Sequence, residues 1–342
     1  MQKRGPSEQR FKKLFIMAGI LLVLFLLNTW VSGGMGSLLF SLKNPRLQLF
    51  TILLLAVLLE GFPFLLLGAC ISGIIEVMVP DKVIQGLFPK NRFLSALTGS
   101  CLGLFFPVCS CGNIPVTRRL INKGVPISGC IGYLLAAPII NPITIISTFI
   151  AFPGNGGIVF SRLGLALLVA VVSGYMFGSP AHGKILRDTP VVKDACHCDE
   201  CDEDENESRL ARILHHAEHD FFLTGKFLIL GASVACLFQT FLTRSALGAF
   251  AHHPVYSVIL LGGMAMAFCL CSFADAFVAS TFTPFSSPAK VAFMVAGPMA
   301  NVALIILYLG TFKRKYAIRL ILWIVGSVLI LSSIWGLLRG AT

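Results

Sequence analysis

Long apolar runs without a charged residue dominate this sequence and limit what it can fold into. A hydrocarbon core of about 30 Å needs roughly 20 helical residues to cross it. Seven uncharged runs meet that need: Leu14 to Leu42, Phe93 to Thr117, Gly124 to Ser161, Leu163 to Ala181, Ser245 to Ala274, Val291 to Phe312 and Leu320 to Leu338. With 56% hydrophobic and 13% charged residues, the sequence predicts an all-α polytopic membrane protein.

The chain contains an internal repeat. Sliding it on itself by 160 residues aligns four pairs of identical residues: Cys109 with Cys269, Cys111 with Cys271, Pro138 with Pro298 and Asn141 with Asn301. Further upstream, "LLLGACISGIIEVMVP" matches "LILGASVACLFQTFL" at an offset of 163. Internal duplication is typical of secondary transporters, whose substrate sites lie between the repeats near the membrane midplane.

The positions of lysine and arginine predict how the repeats are oriented. Basic residues before the first apolar run place the N-terminus in the cytoplasm. If residues 93–108 simply crossed, Arg118, Arg119 and Lys123 would lie outside, against the positive-inside rule. A re-entrant hairpin that turns at the cysteines keeps them inside and makes the second repeat inverted. The alternative, nine simple crossings with parallel repeats, violates the rule twice.

We therefore expect an N-terminal helix plus two inverted repeats with broken or re-entrant helices, about eight or nine membrane segments in all. The predicted divisions are residues 1–46 for a retained N-terminal transmembrane helix, 47–181 for the first repeat, 182–219 for a cytoplasmic Cys/His/acidic loop, and 220–342 for the second repeat. The expected location is the inner (cytoplasmic) membrane.

The repeated cysteine pairs are the first candidate site. Non-helical backbone at membrane depth is tolerated only where it is buried in protein or lines a wet cavity, so helix breakers mark a pathway. Cys109 and Cys111 lie among such breakers in "FFPVCSCGNIPVTRRL", and Cys269 and Cys271 are their counterparts. Sulfurs spaced i, i+2 can converge on one soft or borderline ion, and two copies supply up to four sulfurs. The alternative is that these cysteines are small buried hydrophobes.

Polar side chains inside the apolar runs are further candidates. A carboxylate at the centre of a membrane helix costs at least about 2.5–3.5 kcal/mol, so Glu60 and Asp275 are predicted to bind a cation or to carry a proton in exchange. Asn141 and Asn301 could coordinate an ion or bond to the opened backbone.

The loop after Ala181 is a second candidate metal site. It holds "CHCDECDEDENE" and then "HHAEH", and its candidate ligands are Cys196, His197, Cys198, Cys201, His215 and His219. His215 and His219 share a face if that segment is helical. We expect this cluster to bind metal as a sensor, as a delivery site or on the transport path.

Other protein classes are excluded or disfavoured by the sequence. No phosphate loop, nucleophile elbow or zinc-protease pattern is present, so we expect no enzyme activity and no obligatory cofactor. The net charge of +11 is spread over short loops and is not interleaved with aromatics, so nucleic acid is not an expected partner. Membrane lipid, the transported ion and protons as coupling ion are the expected partners, with a homo-oligomer also possible.

The motifs "FPVCSCGNIPVTRRLINKGVPISGCIGYLLAAPIINP" and "CLCSFADAFVAS" resemble the predicted-permease family that includes the organoarsenical efflux permease ArsP. The similarity is closest to the branch of copper/zinc efflux transporters, and it covers roughly residues 47–319. This resemblance implies efflux of a soft or borderline metal or metalloid through the matching cysteines, Cys109, Cys111, Cys269 and Cys271. We expect export of Cu(I) or Zn(II). The alternatives are a permease for trivalent (organo)arsenicals or a small sulfur-containing solute, and a membrane thiol redox protein or sensor.

Overall fold

A computed structural model describes residues 45–105, 108–179, 185–187, 209–241 and 254–340. Apart from residues 45 and 46, the predicted N-terminal helix lies outside the described residues. The described residues form these helices: α1 Pro45–Met78, α2 Asp81–Leu87, α3 Arg92–Leu102, α4 Asn113–Asn122, α5 Ile127–Ala136, α6 Pro142–Ala151, α7 Gly156–Phe177, α8 Arg209–Phe241, α9 Pro254–Ala267, α10 Ala274–Thr281, α11 Ser287–Ala300, α12 Val302–Thr311 and α13 Arg314–Gly340. In these ranges the β pairing consists of one isolated bridge, Leu186 with Phe312.

The predicted helical membrane fold is confirmed. Among the described residues, five helical stretches are long and apolar enough to cross a bilayer: Pro45–Met78, Gly156–Phe177, Arg209–Thr240, Ser287–Thr311 and Arg314–Leu338. Shorter apolar helices cover Ile127–Ala136, Pro142–Ala151 and Val255–Ala267. The number of membrane segments stays a prediction. Helix α8 begins at Arg209, so the last residues of the predicted cytoplasmic loop are helical.

The two longest helices, α1 and α8, pack side by side and run in opposite directions. Near their middle, a Cβ added at Gly61 would lie 3.4 Å from Leu228. Further along α1, the Ser72 hydroxyl donates to Asp220 Oδ2 at 2.6 Å. Later residues of α1 therefore contact earlier residues of α8, so the two helices are antiparallel. These are the two segments that match in sequence at an offset of 163.

The first cysteine pair lies on a segment that leaves one end of the molecule and returns to it. Helix α3 follows directly after α2, and α4 ends beside α2. There, Gln85 Nε2 donates to the Lys123 carbonyl at 2.8 Å. Lys123 Nζ also lies 3.0 Å from Asp81 Oδ1. We call residues 108–112, between α3 and α4, the first cysteine loop.

The second cysteine pair repeats this path from the opposite end. The hydroxyls of Ser257 in α9 and Ser286 before α11 are 3.5 Å apart, so residues 257–286 also leave and return. A Cβ at Gly336, late in α13, would lie 3.5 Å from Pro288. The end of the molecule from which this segment leaves is therefore the one where α13 finishes. We call residues 268–273, between α9 and α10, the second cysteine loop.

The two ends are separated by the length of α13. At its start, Tyr316 donates to the Phe177 carbonyl at 3.1 Å, and the end of α7 packs on Ser128, shortly after Lys123. Tyr316 and Gly336 are about 30 Å apart along a helix that rises 1.5 Å per residue. The two cysteine loops therefore approach from opposite ends.

We call the end that holds Lys123 and Tyr316 the basic end. Basic side chains gather there: Lys82, Lys90, Arg92, Arg119, Lys123, Lys313, Arg314 and Lys315. That the basic end faces the cytoplasm stays a prediction from the positive-inside rule.

Candidate functional site

Both cysteine loops face a single small cavity at the crossing of α1 and α8. The cavity measures about 40 Å³. It is lined by Val57, Glu60, Gly61, Phe64, Cys109, Ser110, Cys111, Leu228, Cys269, Leu270, Cys271 and Asn301. A water molecule needs roughly 10–15 Å³ on this measure, so the cavity has room for a bare ion or for two or three waters. All four predicted cysteines and Glu60 are thus brought together.

Glu60 joins α1 to the second cysteine loop. The Cys271 thiol donates a hydrogen bond to Glu60 Oε1 at 2.6 Å. Three residues further along α1 lies Pro63, which cannot donate to the carbonyl one turn earlier and so weakens the helix beside the carboxylate. A half-buried thiol in direct contact with a carboxylate is an arrangement that can pass a proton.

Glycines let the first cysteine loop lie directly against α1. A Cβ at Gly112 would lie 2.6 Å from the Phe64 carbonyl, and a Cβ at Gly68 would clash with the Gly112 backbone. On its other side the loop is held by Asn113, whose amide donates to the Leu134 carbonyl at 2.8 Å. These contacts fix the height of Cys109 and Cys111 relative to Glu60.

The two predicted asparagines cap equivalent helices, but only one of them lines the cavity. Asn141 Oδ1 accepts the Thr144 N–H at the start of α6, and Asn301 Oδ1 accepts the Leu304 N–H at the start of α12, both at 2.9 Å. Each is an N-cap that satisfies an otherwise unpaired donor. Asn301 also lies 3.9 Å from Cys269 Sγ and lines the cavity, whereas Asn141 does not line it.

Asp275 lies outside the cavity, in a buried ion pair that the sequence did not reveal. Arg162 Nη2 donates to both carboxylate oxygens of Asp275, at 2.8 and 3.0 Å. The same guanidinium bonds to the Ser272 carbonyl at 2.7 Å and to the Thr148 hydroxyl at 2.7 Å. Both charged side chains are almost completely buried. Arg162 therefore ties α7 to the second cysteine loop.

A second ion-pair network closes the basic end between α1, α4 and α8. Arg119 lies 3.2 Å from Asp220 Oδ2 and 3.5 Å from Glu76 Oε1. Lys123 lies 3.7 Å from the other oxygen of Glu76. This network joins the helix after the first cysteine loop to both long helices.

The predicted loop metal site is only partly described. Cys196, His197, Cys198 and Cys201 lie outside the described residues. His215 and His219 lie one turn apart on α8, and His219 Nδ1 is 3.9 Å from Asp220 Oδ1. In the part of the chain that the structure describes, no three His, Cys, Asp or Glu side chains form a preformed metal site. The loop site stays a prediction.

Comparison with known proteins places residues 46–337 in one family. The profile of the ArsP_1 family, described as a predicted permease, matches residues 46–337. The chain is 39% identical to UPF0718 protein YcgR of Bacillus subtilis, over 84% of this chain and 96% of that protein. It is 33% identical to a proposed subunit of a two-component membrane permease complex from Streptococcus mutans, over 78% and 88% of the two chains. No solved structure matches the chain.

Proposed function

Since the chain belongs to the predicted-permease family, we propose that it is a secondary transporter that exports a thiophilic metal cation, Cu(I) or Zn(II), through the cavity between its cysteine loops. The observation that carries this proposal is the convergence of Cys109, Cys111, Cys269 and Cys271 with Glu60 on about 40 Å³. Thiolates select soft and borderline ions.

The size of the cavity favours a bare ion as cargo. A trivalent organoarsenical whose carbon substituent is larger than a methyl group needs more room than two or three water molecules occupy. The sulfurs do not form a preformed three-ligand site, so we infer that the two loops close on the ion when it binds. A site that forms only on binding suits a transporter, because a transporter must also release its cargo.

The contact of Cys271 with Glu60 suggests how protons are coupled to metal. A sulfur must be deprotonated to hold a metal ion. When the ion binds, the S–H bond of Cys271 breaks, its proton passes to the Glu60 carboxylate, and the thiolate coordinates the ion. Glu60 then gives that proton up to the side from which the ion came. A proton taken up through Glu60 from the opposite side returns to the sulfur and releases the ion there, so metal and protons cross in opposite directions.

The inverted-repeat arrangement is part of this proposal. Antiparallel packing of α1 and α8 supports it, as do two cysteine loops that approach from opposite ends. Inverted repeats place the substrate site at their interface, where rocking of one unit against the other exposes it alternately to the two sides. The streptococcal relative is named as a subunit of a complex. Assembly of this chain into a homo-oligomer stays a prediction.

Flux measurements in proteoliposomes test the proposed function. The full chain is reconstituted into vesicles with an acidic interior, so that protons leave as metal enters, and Cu(I), Zn(II), arsenite and methylarsenite are offered outside in separate experiments. We expect saturable flux of Cu(I) or Zn(II). Flux of arsenicals alone would replace the metal by a metalloid, and flux of none of them would reject the transport proposal for this class of cargo.

In the same vesicles, Glu60→Gln is expected to lower metal flux at least about tenfold and to remove its dependence on the proton gradient. The amide keeps the shape of the side chain but cannot accept the Cys271 proton. Glu218→Gln, on α8 and outside the cavity lining, is the matched control and should transport like the unaltered chain. Proton-coupled flux that survives Glu60→Gln would remove Glu60 from the mechanism.

A further inference from the structure

A large apolar pocket opens beside α2, away from the cysteine cavity. It measures about 400 Å³, within the roughly 300–1,000 Å³ of typical small-molecule sites. Its walls come from α1, α2, α3 and α4, and are Ile75, Val79, Val83, Ile84, Gly86, Leu87, Phe88, Leu102, Val116 and Leu120. None of these side chains carries a polar atom, so the pocket suits a hydrocarbon.

The pocket has a buried back wall and an open rim. Phe88, Val116 and Leu120 are buried at its back. On the rim, the side chains of Val83 and Leu87 are 62% and 57% exposed. The pocket is therefore open on the side where α2 exposes these two side chains.

Basic side chains border the segment that forms this rim. Lys82 precedes Val83, and Lys90 and Arg92 follow the pocket wall in sequence; all three are exposed. The neighbouring Asp81 is paired with Lys123 at 3.0 Å, so its charge is already compensated. Basic clusters at a membrane surface attract anionic lipid head groups, at about 1 kcal/mol for each lysine or arginine.

We propose that this pocket binds an anionic phospholipid of the leaflet at the basic end. An acyl chain fills the apolar pocket, and Lys82, Lys90 and Arg92 hold the phosphate head group. Because the acyl chain contacts Val116 and Leu120 of α4, the bound lipid supports the helix that follows the first cysteine loop.

Lipid binding to the purified full chain tests this proposal. Native mass spectrometry compares phosphatidylglycerol with phosphatidylcholine at matched concentrations. We expect the unaltered chain to retain phosphatidylglycerol at least tenfold more strongly. Replacing Lys82, Lys90 and Arg92 together with glutamine should weaken retention by about fivefold for each charge removed.

A pocket-filling variant tests the acyl-chain site separately. A Cβ at Gly86 meets no atom within 4 Å, so Gly86→Phe adds a ring at the pocket wall without a backbone clash. We expect it to lower phosphatidylglycerol retention at least tenfold. Gly164→Phe on α7 is the matched control, since a Cβ there also meets no atom within 4 Å. Lys315→Gln with Arg319→Gln controls for charge at the same end.

The outcomes separate the possibilities. Equal retention of both lipids, or unchanged retention in Gly86→Phe, overturns the proposal, as does equal loss in the control variants. Should Gly86→Phe not yield monodisperse protein, Gly86→Leu takes its place with the same expected direction.

Discussion

Replacing Cys109 and Cys111 together with serine is expected to abolish metal flux. The change removes half of the sulfurs that face the cavity and leaves the backbone of the first cysteine loop intact. Apparent binding free energies of roughly 10–16 kcal/mol for four-ligand zinc sites amount to about 2.5–4 kcal/mol for each ligand, so the loss of two ligands should weaken binding by about 1,000-fold or more. Flux into proteoliposomes and metal retention on purified protein measure the effect.

The matched control keeps the number of substitutions and changes only their place. Cys70 and Cys101 are free thiols that do not line the cavity. Cys70→Ser with Cys101→Ser should therefore transport like the unaltered chain. If both double variants transported equally well, the sulfurs of the first cysteine loop would not belong to the transport site.

Arg162→Ala is expected to lower thermal stability by several degrees. It leaves the Asp275 carboxylate buried without its partner, and removing one member of a buried ion pair typically costs about 3–5 kcal/mol. The Ser272 carbonyl and the Thr148 hydroxyl also lose a donor. The unfolding midpoint in detergent measures this loss. Arg319→Ala, an exposed position on α13, is the control, and equal midpoints for the two variants would contradict the assigned role.

A double replacement shows whether this pair does more than stabilise the fold. Replacing a buried ion pair by apolar residues of similar volume is often neutral or stabilising, so Arg162→Met with Asp275→Leu should recover most of the lost stability. We expect the flux of this double variant to be lower than that of the unaltered chain, because Arg162 holds the Ser272 backbone between Cys271 and α10. Recovery of both stability and flux would limit the pair to a structural role.

The repeat in the sequence predicted the core of the candidate site. A fixed offset relates the two cysteine pairs, and helices α6 and α12 follow at the same spacing, each capped by the repeated asparagine. Glu60 could be singled out because a lone carboxylate in a long apolar run is costly. Its contact with Cys271, by contrast, depends on how α1 crosses the second cysteine loop. Sequence separation carries no information on that crossing.

The partner of Asp275 could not be predicted for a related reason. Arg162 stands alone between two uncharged runs, a position that fits a membrane boundary as well as a buried charge. Only the packing of α7 against the second repeat distinguishes the two. The useful signal in retrospect is one arginine between apolar runs, together with one aspartate in the opposite repeat. Arg119 and Asp220 were similarly ambiguous, since the depth of a residue depends on where a long helix enters the membrane.

X-ray absorption at the copper or zinc edge tests the central claim most directly. The sample is the purified chain in which Cys196, Cys198 and Cys201 are replaced by serine, so that sulfur from the loop cannot contribute. We predict a shell of sulfur ligands, at about 2.3 Å for zinc, in which the number of sulfurs falls when either cysteine pair is removed. A metal ion held by oxygen and nitrogen alone, or a sulfur shell unchanged by loss of Cys109 with Cys111 or of Cys269 with Cys271, would contradict it.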